Sequence, residues 1–234
     1  MDNCTSESEG EFFNKCFDKH NFNELNSLDQ NILYKSILCY KNIYNSNPNL
    51  VFDVGCNAGS FLKVLNYLNI TDNIHCFEPH PKLSSYTKGI YPKVNMNKIC
   101  LSNTTGNIDI HFPMWSVGLS SVINRPVFDL LKSEGQEFKT LNVECDTIDN
   151  YCMNNNINNI DFIKIDVEGA EKMVLEGAKT MLENNNIKMG IFEIGETLKD
   201  AGTNEKEICD FLENKGYIIR NDIVPANYIF YLQN

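Results

Sequence analysis

The chain has 234 residues, 42% of them hydrophobic, and its 31 acidic side chains outnumber 20 basic ones, giving a formal net charge of -11. At about 150 residues per domain, this length favours one domain with an extension over two domains. The apolar fraction excludes disorder over most of the chain. Because binding to phosphate backbones or anionic lipids depends on clustered Lys and Arg, the acidic balance disfavours a nucleic acid or a membrane surface as partner.

Cysteine usage and the N-terminus indicate the compartment. The nine cysteines are an odd number and form no C-x-x-C pair, which argues against a disulfide framework and a zinc cluster. Residues 1–22 are polar, with Glu7, Glu9 and Glu11 where a signal peptide would be basic. No stretch approaches the ~20 apolar residues of a membrane span. We expect a cytoplasmic protein in a reducing compartment, with residues 1–22 as a loosely held arm.

Beyond the arm, residues 23–234 are predicted to form a single domain. Apolar positions within 23–47 recur at helical spacing, with Ser27 available as an N-cap. The main body of the domain is expected over 48–195. Residues 196–234 then add a closing helix and strands.

Short apolar strands alternate with helical segments in the first half of this body. The predicted strands cover 50–54, 74–78 and 94–101, and the predicted helices between them cover 59–68 and 79–88. Such alternation is the signature of an α/β fold with helices on both faces of a mostly parallel, doubly wound sheet. Strands this apolar are expected to be buried on both faces.

Between about residues 107 and 144 the alternation changes. In two segments apolar and polar residues alternate, which predicts half-exposed strands. They indicate a β-hairpin-like insertion before the fourth main strand. The loop between them contains Trp115, Gly118, Ser120 and Ser121. It is a candidate substrate-facing segment.

The second half returns to the main alternation. After a helix near 147–153, the sequence predicts a strand at 160–165, a helix at 169–183 and a strand at 189–194. The tail adds a helix at 204–215 and two strands with no helix between them, so the last strand must run antiparallel to its neighbour. We therefore expect a seven-stranded, mostly parallel sheet.

The chemistry-bearing residues cluster at the ends of the predicted strands. Gly55 directly follows a buried strand, where glycine permits a tight turn, and Gly59 lets the backbone approach a ligand at the next helix N-terminus. A dinucleotide fingerprint would need two further glycines, where this chain has Asn57 and Ser60, which disfavours a pyrophosphate. Glu78, about 20 residues farther on, suits the two hydroxyls of a ribose. An exposed strand-end carboxylate is the alternative.

Four motifs follow one another between about residues 50 and 195. They read Asp53-Val-Gly-Cys-Asn-Ala-Gly59, Phe77-Glu-Pro-His-Pro81, Leu101-Ser-Asn-Thr-Thr-Gly106 and Ile163-Lys-Ile-Asp-Val-Glu-Gly-Ala-Glu171. In this order they resemble the successive motifs of the FkbM family of S-adenosylmethionine-dependent methyltransferases. The last motif is the most specific of the four, whereas the glycine turn alone is not specific.

The resemblance implies a class I methyltransferase fold of Rossmann-like architecture, with S-adenosyl-L-methionine across the carboxyl ends of the strands and a hydroxyl, often on a sugar, as methyl acceptor. The implied cofactor-binding residues are Asp53, Gly55, Asn57, Gly59, Glu78, Leu101, Ser102 and Asp166. Of these, the first four would hold the methionine and ribose part, Glu78 the ribose hydroxyls, and Leu101 with Ser102 the adenine. The chain departs from the family at Cys56, where alanine is usual.

Methyl transfer to a hydroxyl needs alignment and a group that removes the proton, which adds about 10²–10⁴-fold. Asp166 and Glu168 follow the fourth strand and are candidate bases, while Asp166 is alternatively a ligand of a divalent cation, a cofactor contact or a helix N-cap. Glu171 is expected to provide favourable charge near a helix N-terminus. Lys164, inside a buried strand, predicts a structural ion pair. We expect His80 to be a solvated loop residue, and a position facing the cofactor or substrate is the alternative.

We therefore predict an O-methyltransferase acting on a hydroxyl of a sugar, a glycan or a small molecule. Two alternatives stay open. One is a ribose 2'-O-methyltransferase of capped RNA, in which a strand-end Asp, Glu193 and lysines form a basic tetrad, although the acidic chain disfavours it. The other is a cofactor-binding partner subunit without catalysis. A divalent cation and an oligomer are both compatible with the sequence.

Overall fold

The computed structural model describes residues 28–113, 120–135, 138–195, 197–224 and 226–233. The predicted N-terminal arm, Ser27, Trp115 and Gly118 lie outside these ranges. Within the ranges, none of the helices combines the length and the apolar character that crossing a membrane requires.

Helices and strands alternate along the chain. The helices are α1 (Leu28–Tyr44), α2 (Ser60–Tyr67), α3 (Pro81–Ile90), α4 (Pro126–Ser133), α5 (Ile148–Asn154), α6 (Glu171–Glu176), α7 (Lys179–Glu183), α8 (Thr197–Asp200) and α9 (Glu205–Glu213). The strands are β1 (Val51–Val54), β2 (Ile74–Phe77), β3 (Asn95–Asn97), β4 (Cys100–Leu101), β5 (Gly106–Pro113), β6 (Phe138–Asp146), β7 (Ile160–Ile165), β8 (Ile187–Glu193), β9 (Ile218–Arg220) and β10 (Asn227–Tyr231).

Seven strands form the main sheet, in the order β3-β2-β1-β7-β8-β10-β9. Its neighbours pair in parallel except at β10, which is antiparallel to both β8 and β9. Because no helix separates β9 from β10 in the described residues, the chain returns in the opposite direction, and β10 fills the space between β8 and β9. The predicted seven-stranded sheet of the class I methyltransferase fold, with an antiparallel last strand, is confirmed.

Apolar cores cover both faces of this sheet. In β1, Val51 packs with residues of α1 and α2, whereas Phe52 packs on the opposite face with residues of α5 to α9. In β7, Phe162 and Ile163 divide between the two cores in the same way. Successive strand residues point to opposite faces, so a strand covered on both sides must be apolar at nearly every position.

The predicted third strand, 94–101, is in fact two strands in different sheets. β3 lies beside β2 in the main sheet, whereas β4 pairs with β6 in a separate sheet of order β4-β6-β5. β5 and β6 pair antiparallel, which confirms the hairpin-like insertion. However, the segment between them contains α4, which the sequence did not predict. The division of the third strand follows from the pairing of β4 with β6, a contact between residues far apart in the chain.

The predicted helix at 169–183 is interrupted between α6 and α7. Gly177 lies at the break, where a Cβ atom would be 2.0 Å from the carbonyl oxygen of Ser102. The carbonyl oxygen of Gly177 accepts the N–H of Asp149 at 2.9 Å. The helices α5 and α7 are followed by Asn156 and Asn185, both in the left-handed conformation (φ 55° and 57°) that asparagine tolerates at helix ends.

Candidate functional site

A cavity of about 620 Å³ lies at the carboxyl ends of the central parallel strands. Its lining combines the turn after β1 with residues that follow β2 and β7, with β4 and with the end of β8. Ile32 and Leu33 of α1 add apolar walls. The strand order reverses between β1 and β7, and such a reversal is where open α/β sheets bind their ligands. The fold and the cavity therefore indicate the same site.

The structure brings most of the predicted site residues to this cavity. Those in its lining are Gly55, Asn57, Glu78, Leu101, Asp166 and Glu168. The described lining does not include Asp53, which is fully buried, or Gly59, where a Cβ atom would lie 3.0 Å from Tyr91. It does not include Ser102 either, which is buried against Gly177. Contacts of these three residues with a cofactor stay predictions.

Gly55 has the left-handed conformation, with φ 74°. A Cβ atom at this position would lie 1.9 Å from the carbonyl oxygen of Asp166. The turn after β1 and the end of β7 therefore approach each other as closely as only glycine allows. This close approach sets the floor of the cavity.

The carboxylate of Glu78 is held by two backbone groups. Its Oε2 accepts the N–H of Asn57 and its Oε1 accepts the N–H of His80, both at 2.9 Å. The residue is only 6% exposed, and this burial raises the pKa of its carboxyl, which the two hydrogen bonds counteract. A carboxylate oxygen has two lone pairs, so each oxygen can accept one further bond. The prediction of an exposed strand-end carboxylate, the alternative for Glu78, is wrong.

His80 is buried rather than solvated, which makes the prediction for this residue wrong. It is 5% exposed, and its ring packs edge-on against Phe112 of β5, with ring centroids 4.9 Å apart. Its Nδ1 accepts the N–H of Leu83 at 3.5 Å and so caps α3, which begins at Pro81. The histidine is covered because the inserted sheet packs over the end of β2, a contact that the local sequence does not reveal.

Lys164 joins β1, β7 and the glycine turn. Its Nζ donates to the carbonyl oxygen of Gly55 at 2.7 Å. The same nitrogen lies 3.3 Å from Oδ1 of Asp53 and 3.2 Å from Oδ2 of Asp166. Burial alone would lower the pKa of this amine, but the charges of Asp166 and Asp53 outweigh burial and raise it. The predicted ion pair is confirmed.

The described residues offer one group of three potential metal ligands with donor atoms within 4.8 Å of one another, namely Asp53, Cys56 and Cys76. All three are buried, and the ammonium group of Lys164 already lies against the Asp53 carboxylate. A metal ion would have to displace this buried cation. Asp166, for which binding a divalent cation is one of several alternatives, belongs to no such group in the described part of the chain.

Glu168 follows β7 in a left-handed backbone conformation, with φ 55°. Its carbonyl oxygen accepts the hydroxyl of Ser121 at 2.8 Å, and its Oε2 lies 3.5 Å from Nη1 of Arg125. Burial and the charges of Asp166 and Glu193 raise the pKa of this carboxyl to about 7, and Arg125 opposes the shift. A carboxyl group that titrates near neutral pH beside a cavity is suited to accept a proton.

Glu171 lies near a helix N-terminus, as predicted, since it is the first residue of α6. It does not line the cavity in the described structure. Its Oε1 accepts the N–H groups of Val167 and Gly169 at 3.1 and 3.2 Å. It is 2% exposed, and burial raises the pKa of its carboxyl to about 7. Its hydrogen bonds shape the loop that carries Glu168.

The sequence reading missed Arg125 as a site residue. The chain has only two arginines, and this one directly precedes the proline that begins α4. Because arginine is rare in this acidic chain, Arg125 is a usable signal, but its partner Glu168 is 43 residues away. Of the predicted substrate-facing loop, Ser120 and Ser121 do line the cavity.

The sequence matches a family model described as the methyltransferase FkbM domain over residues 53–219. Among curated proteins, the chain is similar to the 2-O-methyltransferase NoeI of Sinorhizobium fredii (strain NBRC 101917 / NGR234), with 29% identity over 143 residues. That alignment covers 57% of this chain and 58% of NoeI, so it spans less than two thirds of the relative.

Two solved methyltransferase structures align with most of this chain. The methyltransferase domain of a bacterial CtHen1-C aligns with a TM-score of 0.47 and 13% identity, covering 89% of this chain and 100% of that one. TrmK of M. capricolum, in complex with S-adenosyl-homocysteine, aligns with a TM-score of 0.44 and 15% identity, covering 88% and 67%. Likenesses this distant carry no argument about function. The family model, in contrast, extends from β1 to β9, and the chain belongs to the FkbM methyltransferase family.

Proposed function

We propose that the protein is an S-adenosylmethionine-dependent O-methyltransferase that methylates a hydroxyl group of a sugar, a glycan or a small molecule. The observation that carries this proposal is that two carboxyl groups with different properties line one cavity. Glu78 can accept hydrogen bonds from the two hydroxyls of a ribose, and Glu168 titrates near neutral pH. Membership of the FkbM family and similarity to a 2-O-methyltransferase support it.

The cavity residues fit a nucleoside cofactor. The two backbone-held oxygens of Glu78 keep acceptor capacity for ribose hydroxyls, and Phe77, Ile99 and Leu101 give the same region an apolar lining suited to adenine. Gly55 and Asn57 would hold the methionine part, with Asp166 nearby. Asp53, Gly59 and Ser102 would act by supporting these segments from behind. When bound, S-adenosylmethionine supplies a methyl group whose bond to the positively charged sulfur breaks as the acceptor oxygen bonds to the carbon.

We assign Glu168 as the general base. Its carboxylate takes the proton of the acceptor hydroxyl, so the step leaves a methyl ether, S-adenosylhomocysteine and a neutral Glu168. Asp166, the other predicted base, has its Oδ2 against Lys164, and we assign it to holding the cofactor end of the cavity. Because Glu168 takes up the proton that the acceptor hydroxyl loses, a divalent cation is not part of the proposal.

The charge of the cavity favours a neutral or weakly charged acceptor over capped RNA. Lys164 is the one cationic residue among the described residues of the lining, and two carboxylates already engage it. Two further carboxyl groups, those of Glu168 and Glu193, line the same space. Binding a phosphate chain there would require cations to offset its charge.

Two measurements test the proposal. Isothermal titration must show that S-adenosylhomocysteine binds; absence of binding would contradict every reading of the site. The protein is then incubated with methyl-labelled S-adenosylmethionine and separate sets of saccharides, small alcohols, nucleosides and capped RNA. We expect label on a saccharide or small-molecule hydroxyl, and a rate about 10²–10⁴-fold lower for Glu168→Gln with unchanged cofactor affinity.

The other outcomes separate the alternatives. Label in RNA alone would establish the ribose 2'-O-methyltransferase reading instead. Tight cofactor binding without transfer to any of the acceptors would favour a partner subunit without catalysis.

A further inference from the structure

We propose that Arg125 is a positioning residue for Glu168, whose carboxylate its guanidinium holds at the cavity in the form that accepts a proton. This inference rests on the proposed function, because it concerns the group assigned as base. It adds the inserted segment 120–125 to the machinery of the site. None of the predicted site residues lies in the helix that Arg125 caps.

The guanidinium of Arg125 is fixed from several sides. Its Nη1 lies 3.5 Å from Oε2 of Glu168, and its Nε lies 3.4 Å from Oδ2 of Asp200 in α8. Its carbon Cζ lies 5.3 Å from the centroid of the Phe128 ring. The side chain is only 15% exposed. A guanidinium placed between two carboxylates and an aromatic ring has little freedom to leave Glu168.

The same segment also holds the backbone of Glu168. The hydroxyl of Ser121 donates to the carbonyl oxygen of Glu168 at 2.8 Å and accepts the N–H of Ile123 at 3.0 Å. Ser121 is itself paired through its backbone with His111 of β5, at 2.8 and 3.0 Å. A residue other than glycine with φ 55° needs such support. Both the carbonyl and the carboxylate of Glu168 are therefore contacted from the insertion.

The charges around Glu168 explain why a cation is needed there. The groups that act on it are Asp166 at the end of β7, Glu193 at the end of β8, Glu171 at the start of α6 and Arg125. Burial and the three carboxylates favour the protonated form, which cannot accept a proton from a substrate. Arg125 opposes them, and without it the pKa of Glu168 would rise further above about 7.

The test follows the Glu168 carboxyl directly and needs no acceptor. Carboxyl-detected NMR is recorded on protein labelled in its glutamate side chains, with S-adenosylhomocysteine bound, and the signal missing from Glu168→Gln is assigned to Glu168. We expect Arg125→Gln to raise the titration midpoint of this signal by about 1 pH unit. Arg125→Lys should raise it by less, since the shorter side chain keeps the charge but loses the planar fork.

The matched control is Arg220→Gln, which removes the other arginine, paired with Asp222 on the far edge of the sheet. It should leave the midpoint unchanged. An unmoved midpoint in Arg125→Gln would overturn the positioning role. If that variant does not fold, an unmoved midpoint in Arg125→Met, which also removes the charge but keeps a long side chain beside Phe128, would do so. The proposed function fails separately, through absence of S-adenosylhomocysteine binding or wild-type methyl transfer by Glu168→Gln.

Discussion

Glu78 and Glu168 are both acids that follow a strand, yet their surroundings suit them to different tasks. Glu78 is held by two backbone N–H groups from its own turn and the turn before it, which favour a fixed acceptor. Glu168 has one cation and several carboxylates around it, which bring the pKa of its carboxyl to about 7. At the scale of single residues, the neighbours therefore decide whether a carboxylate serves as a fixed acceptor or as a proton acceptor.

Replacing Glu78 by glutamine tests its predicted role. One of the two carboxylate oxygens becomes an NH₂ group, which faces a backbone N–H and can accept nothing from a ribose. Hydrogen bonds to a charged group are worth about 1.5–3 kcal/mol, so we expect S-adenosylhomocysteine to bind about 10–100-fold more weakly to Glu78→Gln. Isothermal titration measures the change.

The matched control for this experiment is Glu144→Gln, an exposed residue of β6. It removes the same charge from the chain without touching the cavity and should bind as the wild type does. Equal affinities of the two variants would show that Glu78 makes no specific contact with the cofactor.

Turns and strand ends carry the site at the scale of elements. The end of β1, the glycine turn and the end of β7 are joined by Lys164 and by the close approach of Gly55 to Asp166. The insertion then adds Ser121 and Arg125 from the opposite side. The cavity therefore depends on how these segments meet, and small backbone changes at the meeting point should be costly.

Gly55→Ala is expected to lower the free energy of unfolding by about 3 kcal/mol or more and to weaken cofactor binding. The added Cβ combines a left-handed backbone penalty of about 1–2 kcal/mol with overpacking against the Asp166 carbonyl. Gly135→Ala is the control, because its φ of 86° is similar but no atom lies within 4 Å of the added Cβ. It should show only the backbone penalty in urea denaturation. Equal losses in the two variants would contradict the close contact.

At the scale of the whole molecule, the acidic residues behind the net charge of -11 affect the stability of the fold where they are buried. Burial raises the pKa of Glu171 to about 7 from an ordinary value of 4.5. A carboxyl whose pKa is raised on folding stabilises the native state while it is protonated. That contribution is complete below about pH 4.5 and is lost as the pH rises through about 7.

Glu171→Gln isolates the contribution of this ionisation to stability. Glutamine can still accept the hydrogen bonds of the two backbone N–H groups, but it never ionises. We expect the variant and the wild type to be about equally stable near pH 5, and the variant to be more stable by about 2–3 kcal/mol near pH 8. Urea unfolding across this pH range measures the difference, and other titrating groups cancel in the comparison. A difference that does not grow with pH would mean that the carboxyl titrates at its ordinary pKa.

The sequence by itself determined the type and order of most elements, the antiparallel last strand and the carboxylates at the strand ends. These features follow from local signals: apolar runs such as 50–54, the glycine after them, and the absence of a helix before the last strand. The four motifs added the family, because they preserve residue identity and spacing along the chain.

Only the tertiary structure decided that β4 leaves the main sheet, that His80 is buried, and that Arg125 contacts Glu168. Each of these results depends on the inserted sheet, which packs over the end of β2 and brings residues from distant parts of the chain into contact. Pattern and composition describe a residue's own segment and are silent about its partners across the fold. The charge state of a buried carboxyl depends on those partners, so it was decided only when the chain had folded.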